Sequence, residues 1–249
     1  IGGYGVGTEK VEQEVHRLFP EARTLRMDRD TTSKKNSHEQ ILESFGRGDA
    51  DILIGTQMIV KGHDFSRVTL VGVLLADLTL FSGDYRAGER TFDLLTQAAG
   101  RAGRGDVPGK VVIQTYKPDN YAITAAASQD YRAFYDIEEA YRSLMRYPPE
   151  WNMMVIMGTG MDEEQLANIM DRMYSLIRGK YINAGHLSVI GPSEPAISKI
   201  KDVYRRVLYI KPRDYRMLVD VKDYVEEWLK ENGESDVSVF FDMNPVNMY

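Results

Sequence analysis

DILIGTQMIVKGHDFSRVTLVGVLLAD, residues 51–77, decides the fold of the first half of the chain. It holds two short apolar runs, DILIG at 51–55 and VTLVGVLLAD at 68–77, each bounded by glycine or charge. Continuous rather than alternating apolarity suits a strand buried on both faces, the usual state of a strand in a parallel sheet covered by helices. Towards the N-terminus lies a helical pattern near 37–46 with Ile41, Leu42 and Phe45 inward, then a strand at about 23–28. A helix at 8–19 precedes it, with Val11, Val15 and Leu18 on one face, Thr8 as N-cap and Pro20 as stop. Towards the C-terminus a helix at about 88–100 leads into the loop GRAGRGDVPG, and KVVIQTY at 110–116 reads as a further strand. Helices and buried strands alternating through residue 118 predict an α/β domain, a parallel sheet with helices on both faces.

The second half reads differently. An amphipathic helix at 129–146, with Phe134, Ile137, Tyr141, Leu144 and Met145 as its apolar face, runs to Pro148-Pro149, a pair that cannot continue a helix. The boundary is placed there, giving domains 1–147 and 148–249. Strand 153–160, helix 163–181, strands 187–191 and 203–210, helix 214–231 and strand 237–242 follow. This β-α-β-β-α-β order predicts a small ferredoxin-like α+β sandwich. Leu166, Ile169, Met170, Met173 and Ile177 form the inward stripe of its first helix. Met153, Met154, Met157, Met161, Met170 and Met173 read as core filling rather than as a soft-metal groove, and the apolar end 243–249 is expected to pack back on its domain.

Composition narrows the function classes. The 249 residues, 43% hydrophobic, suffice for two cores. No apolar run approaches the roughly 20 residues of a bilayer span, so the expectation is a cytoplasmic chain with no membrane contact. With no cysteine and four scattered histidines, disulfides and thiolate metal sites are excluded and no metal is expected to be held by this chain. A net charge of −6 argues against a generally basic nucleic-acid binder, though a locally basic surface can still take phosphates. The opening IGGYGVGTE, without an initiator methionine or targeting pattern, reads as part of a longer protein.

Two motifs and one cluster carry chemistry. In Gln97-Ala98-Ala99-Gly100-Arg101-Ala102-Gly103-Arg104, glycines allow a tight turn that brings two arginines to one side. Planar, permanently charged guanidiniums suit the charge that develops on phosphoryl oxygens during transfer; the plainer reading is a solvated loop. In Thr56-Gln57-Met58-Ile59-Val60-Lys61-Gly62-His63-Asp64, a hydroxyl and free N–H groups after a buried strand form a phosphate cradle. The plainer reading there is a strand-to-helix turn capped by Asp64. Residues 199–216 gather seven cations against two acids around Tyr204, Tyr209 and Tyr215, the mixture single strands use. Lys199, Lys201, Arg205 and Arg206 are the candidate DNA contacts, against the bland alternative of a solvated face.

Q-x-x-G-R-x-G-R after GTQMIVKGHDF resembles the arginine-finger motif and motif V of superfamily 2 helicases. With GYGVGTEKVEQEV, RMDRDTT at 26–32 and YPP at 147–149, the whole chain resembles the second motor lobe and C-terminal domain of the primosomal protein N′ (PriA) family of bacterial replication-restart helicases. The resemblance implies a RecA-like lobe and a 3′ to 5′ DNA helicase that uses ATP with Mg²⁺, remodels stalled forks and initiates primosome assembly. It implies that Arg101 and Arg104 reach the γ-phosphate, that Gln97 orients the second finger, and that Gly62 and Asp64 face the nucleotide. Thr8, Thr56, Gln57 and Lys61 would contact DNA, with Thr8 equally able to serve as a cap. Forked and single-stranded DNA, single-strand-binding protein and other primosome proteins are the implied partners of a monomer. Zinc would belong to a cysteine-rich module, and the G-x-x-x-x-G-K-[ST] loop and acidic magnesium motif to a first lobe; none of these is in this sequence, so the chain alone is expected not to turn over ATP. Rival readings are a non-catalytic DNA-binding or protein-interaction module, and another superfamily 2 translocase or RNA helicase.

Overall fold

The computed structural model describes residues 7–33, 36–60, 65, 67–103, 108–181, 187–232 and 236–249. The chain divides into two compact units, Ile1–Leu80 with Gly88–Tyr131, and Phe81–Ala87 with Arg132–Tyr249. The helix at 131–144, counted with the first domain in the sequence, thus groups with the second unit, as does the short segment 81–87.

In the first unit, helix α1 (Thr8–Leu18) precedes strand β1 (Thr24–Met27), helix α2 (Ser37–Arg47) and strand β2 (Ile52–Gly55). A single 3₁₀ turn (Gln57–Val60), strand β3 (Leu70–Val73), helix α3 (Asp77–Leu80) and helix α4 (Ala87–Ala99) follow, then strand β4 (Lys110–Ile113) and helix α5 (Tyr121–Ser128). The strands pair in parallel, β1 with β2 from Thr24↔Ile52 to Met27↔Gly55, and β3 with β4 from Leu70↔Lys110 to Val73↔Ile113. Each pair is joined by a helical crossover, as parallel pairing demands. The unit is α/β, as the alternation of patterns implies. Gly55 ends β2 where a Cβ would stand 2.3 Å from the Met27 carbonyl oxygen, so a side chain there would push the two strands apart.

Three expectations are corrected. The 68–77 strand shortens to Leu70–Val73, because Leu74 is exposed, Leu75 takes a φ of 52° and Asp77 starts α3. Thr8 does not cap α1: Gly7 holds the cap position without a side-chain bond, and the Thr8 hydroxyl instead donates to Asp28 Oδ2 at 2.5 Å. The 129–146 helix begins only at Tyr131, since Gln129 at φ 55° closes α5, an element the sequence reading lacked.

The second unit contains helix α6 (Tyr131–Leu144), strand β5 (Met154–Gly160), helix α7 (Glu163–Tyr181), strand β6 (Leu187–Ser193) and strand β7 (Lys199–Ile200). Strand β8 (Val203–Pro212), helix α8 (Tyr215–Asn232) and strand β9 (Val237–Met243) complete it. Its sheet runs β6-β8-β5-β9, antiparallel at each pairing, with β7 added to β8. Both halves are therefore split βαβ units, the ferredoxin-like arrangement. Alternate strand residues face the helices: Met154, Ile156, Leu208 and Ile210 close on Leu166, Ile169, Met170, Met173 and Ile177 of α7 and on Leu218, Val221 and Val225 of α8, all fully buried. Each such side chain contributes about 1.5–3 kcal/mol relative to exposure. Met161 departs from the core reading, being 77% exposed. The C-terminal end does pack back, with the Tyr249 hydroxyl donating to Asp242 Oδ2 and the Tyr209 hydroxyl donating to the Tyr249 carbonyl.

Candidate nucleotide and nucleic-acid interfaces

Helix α4 delivers the arginine motif. Its inner face is buried at Phe92, Leu95 and Ala98, which leaves Gln97 exposed and Arg101, one turn on, half-buried. The helix tightens as it ends, with the Arg101 N–H donating to Ala98 O and the Ala102 N–H to Ala99 O. Gly103 then takes a φ of 73° and donates its N–H to Val68 O at 3.0 Å. A Cβ on Gly103 would lie 2.4 Å from Gly109 N, and one on Gly109 would lie 2.2 Å from Gly103 N. The two ends of the loop therefore meet backbone against backbone, and Lys110 N–H continues the stem by donating to Thr69 O at 2.8 Å. The second glycine of the motif and a glycine outside it fix where the loop leaves the α/β layer; the sequence reading assigned Gly109 no part in this. Arg104 lies outside the described residues.

The β2 exit presents Thr56 and Gln57, both exposed, and the 3₁₀ turn closes when the Ile59 N–H donates to Thr56 O at 3.1 Å. Lys61, Gly62 and Asp64 lie outside the described residues.

At the start of α1 the geometry gives Thr8 a partner within the protein. Asp28, 8% exposed, accepts from the Thr8 hydroxyl, from the Thr31 and Asp30 N–H groups, and forms an ion pair with Arg26 at 2.9 Å. Those hydrogen bonds, Thr8's foremost, with the Arg26 charge, hold the Asp28 carboxyl down at about 2 against the cost of its burial. Arg26 also reaches Glu12, so α1 is clamped to β1 through polar contacts as well as packing. The charged strand exit at 28–30 is thus a brace. A second buried carboxylate, Asp77, was missed: both its oxygens accept from the Tyr116 N–H and one from the Thr115 hydroxyl, tying the end of β3 to the end of β4. Sequence could not flag it, because the apolar run before it reads as continuous strand.

The candidate cations of the second unit do not all share one face. Arg205 and Arg206 are adjacent in β8 and therefore point to opposite faces of the sheet. Arg205 donates to the Ile197 carbonyl at 3.2 Å, whereas Arg206 pairs with Glu163 at the start of α7, 3.6 Å away. Lys199 lies over the Tyr204 ring and pairs with Asp202 at 3.2 Å. Lys201 is exposed at the tip of the β7–β8 hairpin. Lys211 is buried, 4% exposed, with its ammonium 3.5 Å from the Tyr147 ring centre; burial, and then the Arg146 charge, lower it to about 8.

The helicase conserved C-terminal domain model matches residues 7–106, and the primosomal protein N C-terminal domain model matches residues 143–246. The chain is 42% identical over 247 residues to the replication restart protein PriA of Bacillus subtilis (strain 168), an alignment covering 98% of this chain and 30% of that protein. It is 35% identical over 246 residues to that of Synechocystis sp., covering 98% and 29%, and 36% identical over 245 residues to that of Haemophilus influenzae, covering 98% and 33%. The chain thus spans about a third of the length of the curated relatives it matches.

Proposed function

We propose, from the premise that this chain belongs to the family of replication restart protein PriA, that it forms the second motor lobe and C-terminal domain of an ATP-dependent 3′ to 5′ DNA helicase that remodels stalled forks and starts primosome assembly. The observation that carries the reading is the end of α4, where Arg101 of the Q-x-x-G-R-x-G-R motif stands two residues before Gly103, whose backbone meets Gly109 and donates to Val68 O beside the parallel pair β3–β4.

The donor set suits a nucleotide's phosphates. Guanidiniums are permanently charged and present parallel N–H groups that match phosphoryl oxygens, and they have no affinity for the accompanying magnesium. ATP supplies a phosphoryl group whose charge spreads over its oxygens as it passes to water. Arg101 and Arg104 would neutralise that charge, and Gln97, exposed one turn before Arg101, would orient the arginine loop. The sequence holds no G-x-x-x-x-G-K-[ST] loop, so the β- and γ-phosphates and their magnesium fall to another lobe. Gly62 and Asp64 would face the nucleotide, and Thr56, Gln57 and Lys61 would follow the DNA backbone. One loop touching both ligands would couple them, since a change in either biases the other. Thr8 would brace the lobe through Asp28 rather than hold phosphate. Single-strand-binding protein and primosome proteins are the partners this role calls for.

The test is fork-stimulated ATP hydrolysis by the full-length protein, wild type beside Arg101→Ala and Arg104→Ala, with fork binding measured in each. Turnover should fall by about 10³ to 10⁵ while binding is retained. Unchanged turnover would leave a DNA-binding or interaction module as the better account.

A further inference from the structure

The cations singled out in the sequence are mostly committed to partners of their own, and a different set is not. Between the C-terminal end of α7, the start of β6 and the residues after α6 lies a cleft of about 310 Å³ lined by Arg146, Tyr174, Arg178, Tyr181, Leu187, Ser188 and Val189. Among the described residues, no carboxylate lines it. Among the described residues, neither Arg146, Arg178 nor the neighbouring Lys180 has an acidic side chain within ion-pair distance; their partners are aromatic. Arg146 lies 5.0 Å from the Trp151 ring centre, Arg178 donates to the Tyr174 hydroxyl at 2.7 Å and Lys180 lies 3.6 Å from the Tyr224 ring centre. In a chain with a net charge of −6, three exposed cations without acids form a local positive patch. Its field reaches inward, since the Arg146 charge helps to lower Lys211.

Two further features fit a binding surface. Arg146, not a glycine, takes a φ of 56° just beyond α6, a conformation that side chains adopt at a cost and that turns it out of the helix. Strand β6 is an edge strand, bonded to β8 on one side, so the cleft floor at Leu187 to Val189 is open to a ligand.

We propose that this cleft is a subsite for single-stranded nucleic acid, with Arg146 and Arg178 on phosphates and Tyr174 and Tyr181 stacking on bases. The assignment rests on the reading of the chain as DNA-acting and goes beyond it by placing the strand away from the β7–β8 hairpin. Nucleic acid is favoured over an acidic peptide because Tyr174 and Tyr181 line the same cleft as Arg146 and Arg178: rings that take bases lie beside cations that would hold phosphates, which is how single strands are bound without sequence preference.

The experiment titrates fluorescein-labelled oligothymidylate into the intact 249-residue chain, over a series of salt concentrations, for wild type, Arg146→Ala/Arg178→Ala, and Lys199→Ala/Lys201→Ala. The cleft variant should bind about tenfold or more weakly, with a salt slope shallower by roughly 0.7 per lost phosphate contact, while the hairpin variant changes less. Photocrosslinking of oligonucleotide containing 5-iododeoxyuridine to the wild type, which needs no variant to fold, should label Tyr174 or Tyr181. Wild-type binding with adducts confined to other residues would overturn the subsite, as would a folded cleft variant that keeps the wild-type Kd and slope. Loss of binding to an oligoglutamate peptide in that variant, with oligothymidylate unaffected, would overturn it in favour of a peptide groove. Absence of any oligothymidylate binding by the wild type at low salt would instead sink the DNA reading itself.

Discussion

Asp28 shows how much of the first unit depends on one carboxylate. It joins the first residue of α1, the turn at 28–32 and Arg26 of β1, and it does so only when ionised. Its folded value, about 2, lies below the ordinary 3.8, so the stabilisation is fully present above pH 3.8 and is lost as the pH falls towards 2. Asp28→Asn should therefore cost about 1–2 kcal/mol at neutral pH, and the difference from wild type should shrink steeply as the pH falls towards and through 2. Urea denaturation of both proteins across that range, followed by far-ultraviolet circular dichroism, measures it; a gap that stays undiminished across it would mean that the contribution is one of shape rather than charge. From sequence, the triplet at 28–30 could be seen as charged but not as paired, because its partners Thr8 and Arg26 meet it only in three dimensions.

Elements were legible where burial is one-sided. Helix α7 carries an unbroken inward stripe, Leu166 to Ile177, and ends close to where the pattern ends. Helix α5 was invisible for the opposite reason: Ala122, Ile123, Ala125 and Ala126 are all buried, so it has little polar face to give a period, and its start depends on Asn120 Oδ1 accepting from the Ala122 N–H at 2.9 Å. The cationic cluster at 199–216 was legible as composition but not as a surface, because alternation along β8 sends neighbouring arginines to opposite faces. The β7–β8 hairpin adds a turn the sequence does not advertise. Lys201 at φ 48° and Asp202 at φ 65° are both left-handed, the conformation for which Asn-Gly is the favoured pair. Lys201→Asn combined with Asp202→Gly should raise the stability of the second unit by about 1 kcal/mol, seen as a higher melting temperature. Should oligothymidylate binding fall in the same protein, Lys201 holds a left-handed backbone for the sake of a ligand; unchanged binding would make the turn merely suboptimal.

At the scale of the whole molecule, the chain enters the second unit twice, at 81–87 and again from 132 onward. The short visit contributes disproportionately. Tyr85, 5% exposed, stacks on Tyr147 with ring centres 5.0 Å apart and planes 10° from parallel, and the Arg142 guanidinium lies 5.4 Å from its ring centre. Arg86 donates to the Val246 carbonyl at 3.2 Å, and Asp84 accepts from the Met248 N–H at 3.4 Å, so the segment also fastens the C-terminal end. Tyr147 in turn roofs the buried Lys211, which means that removing Tyr85 loosens the cover of a buried cation as well as opening a cavity. Tyr85→Ala should cost about 3–5 kcal/mol, whereas Tyr85→Phe, which keeps the ring, should stay near wild type. The measurement is specific because the chain's two tryptophans, Trp151 and Trp228, both lie in the second unit, so their fluorescence follows that unit alone during urea denaturation. A tryptophan-monitored midpoint that falls in Tyr85→Ala makes a segment embedded in the sequence of the first unit a structural part of the second; an unchanged midpoint would place 81–87 as a surface loop that the second unit can lose.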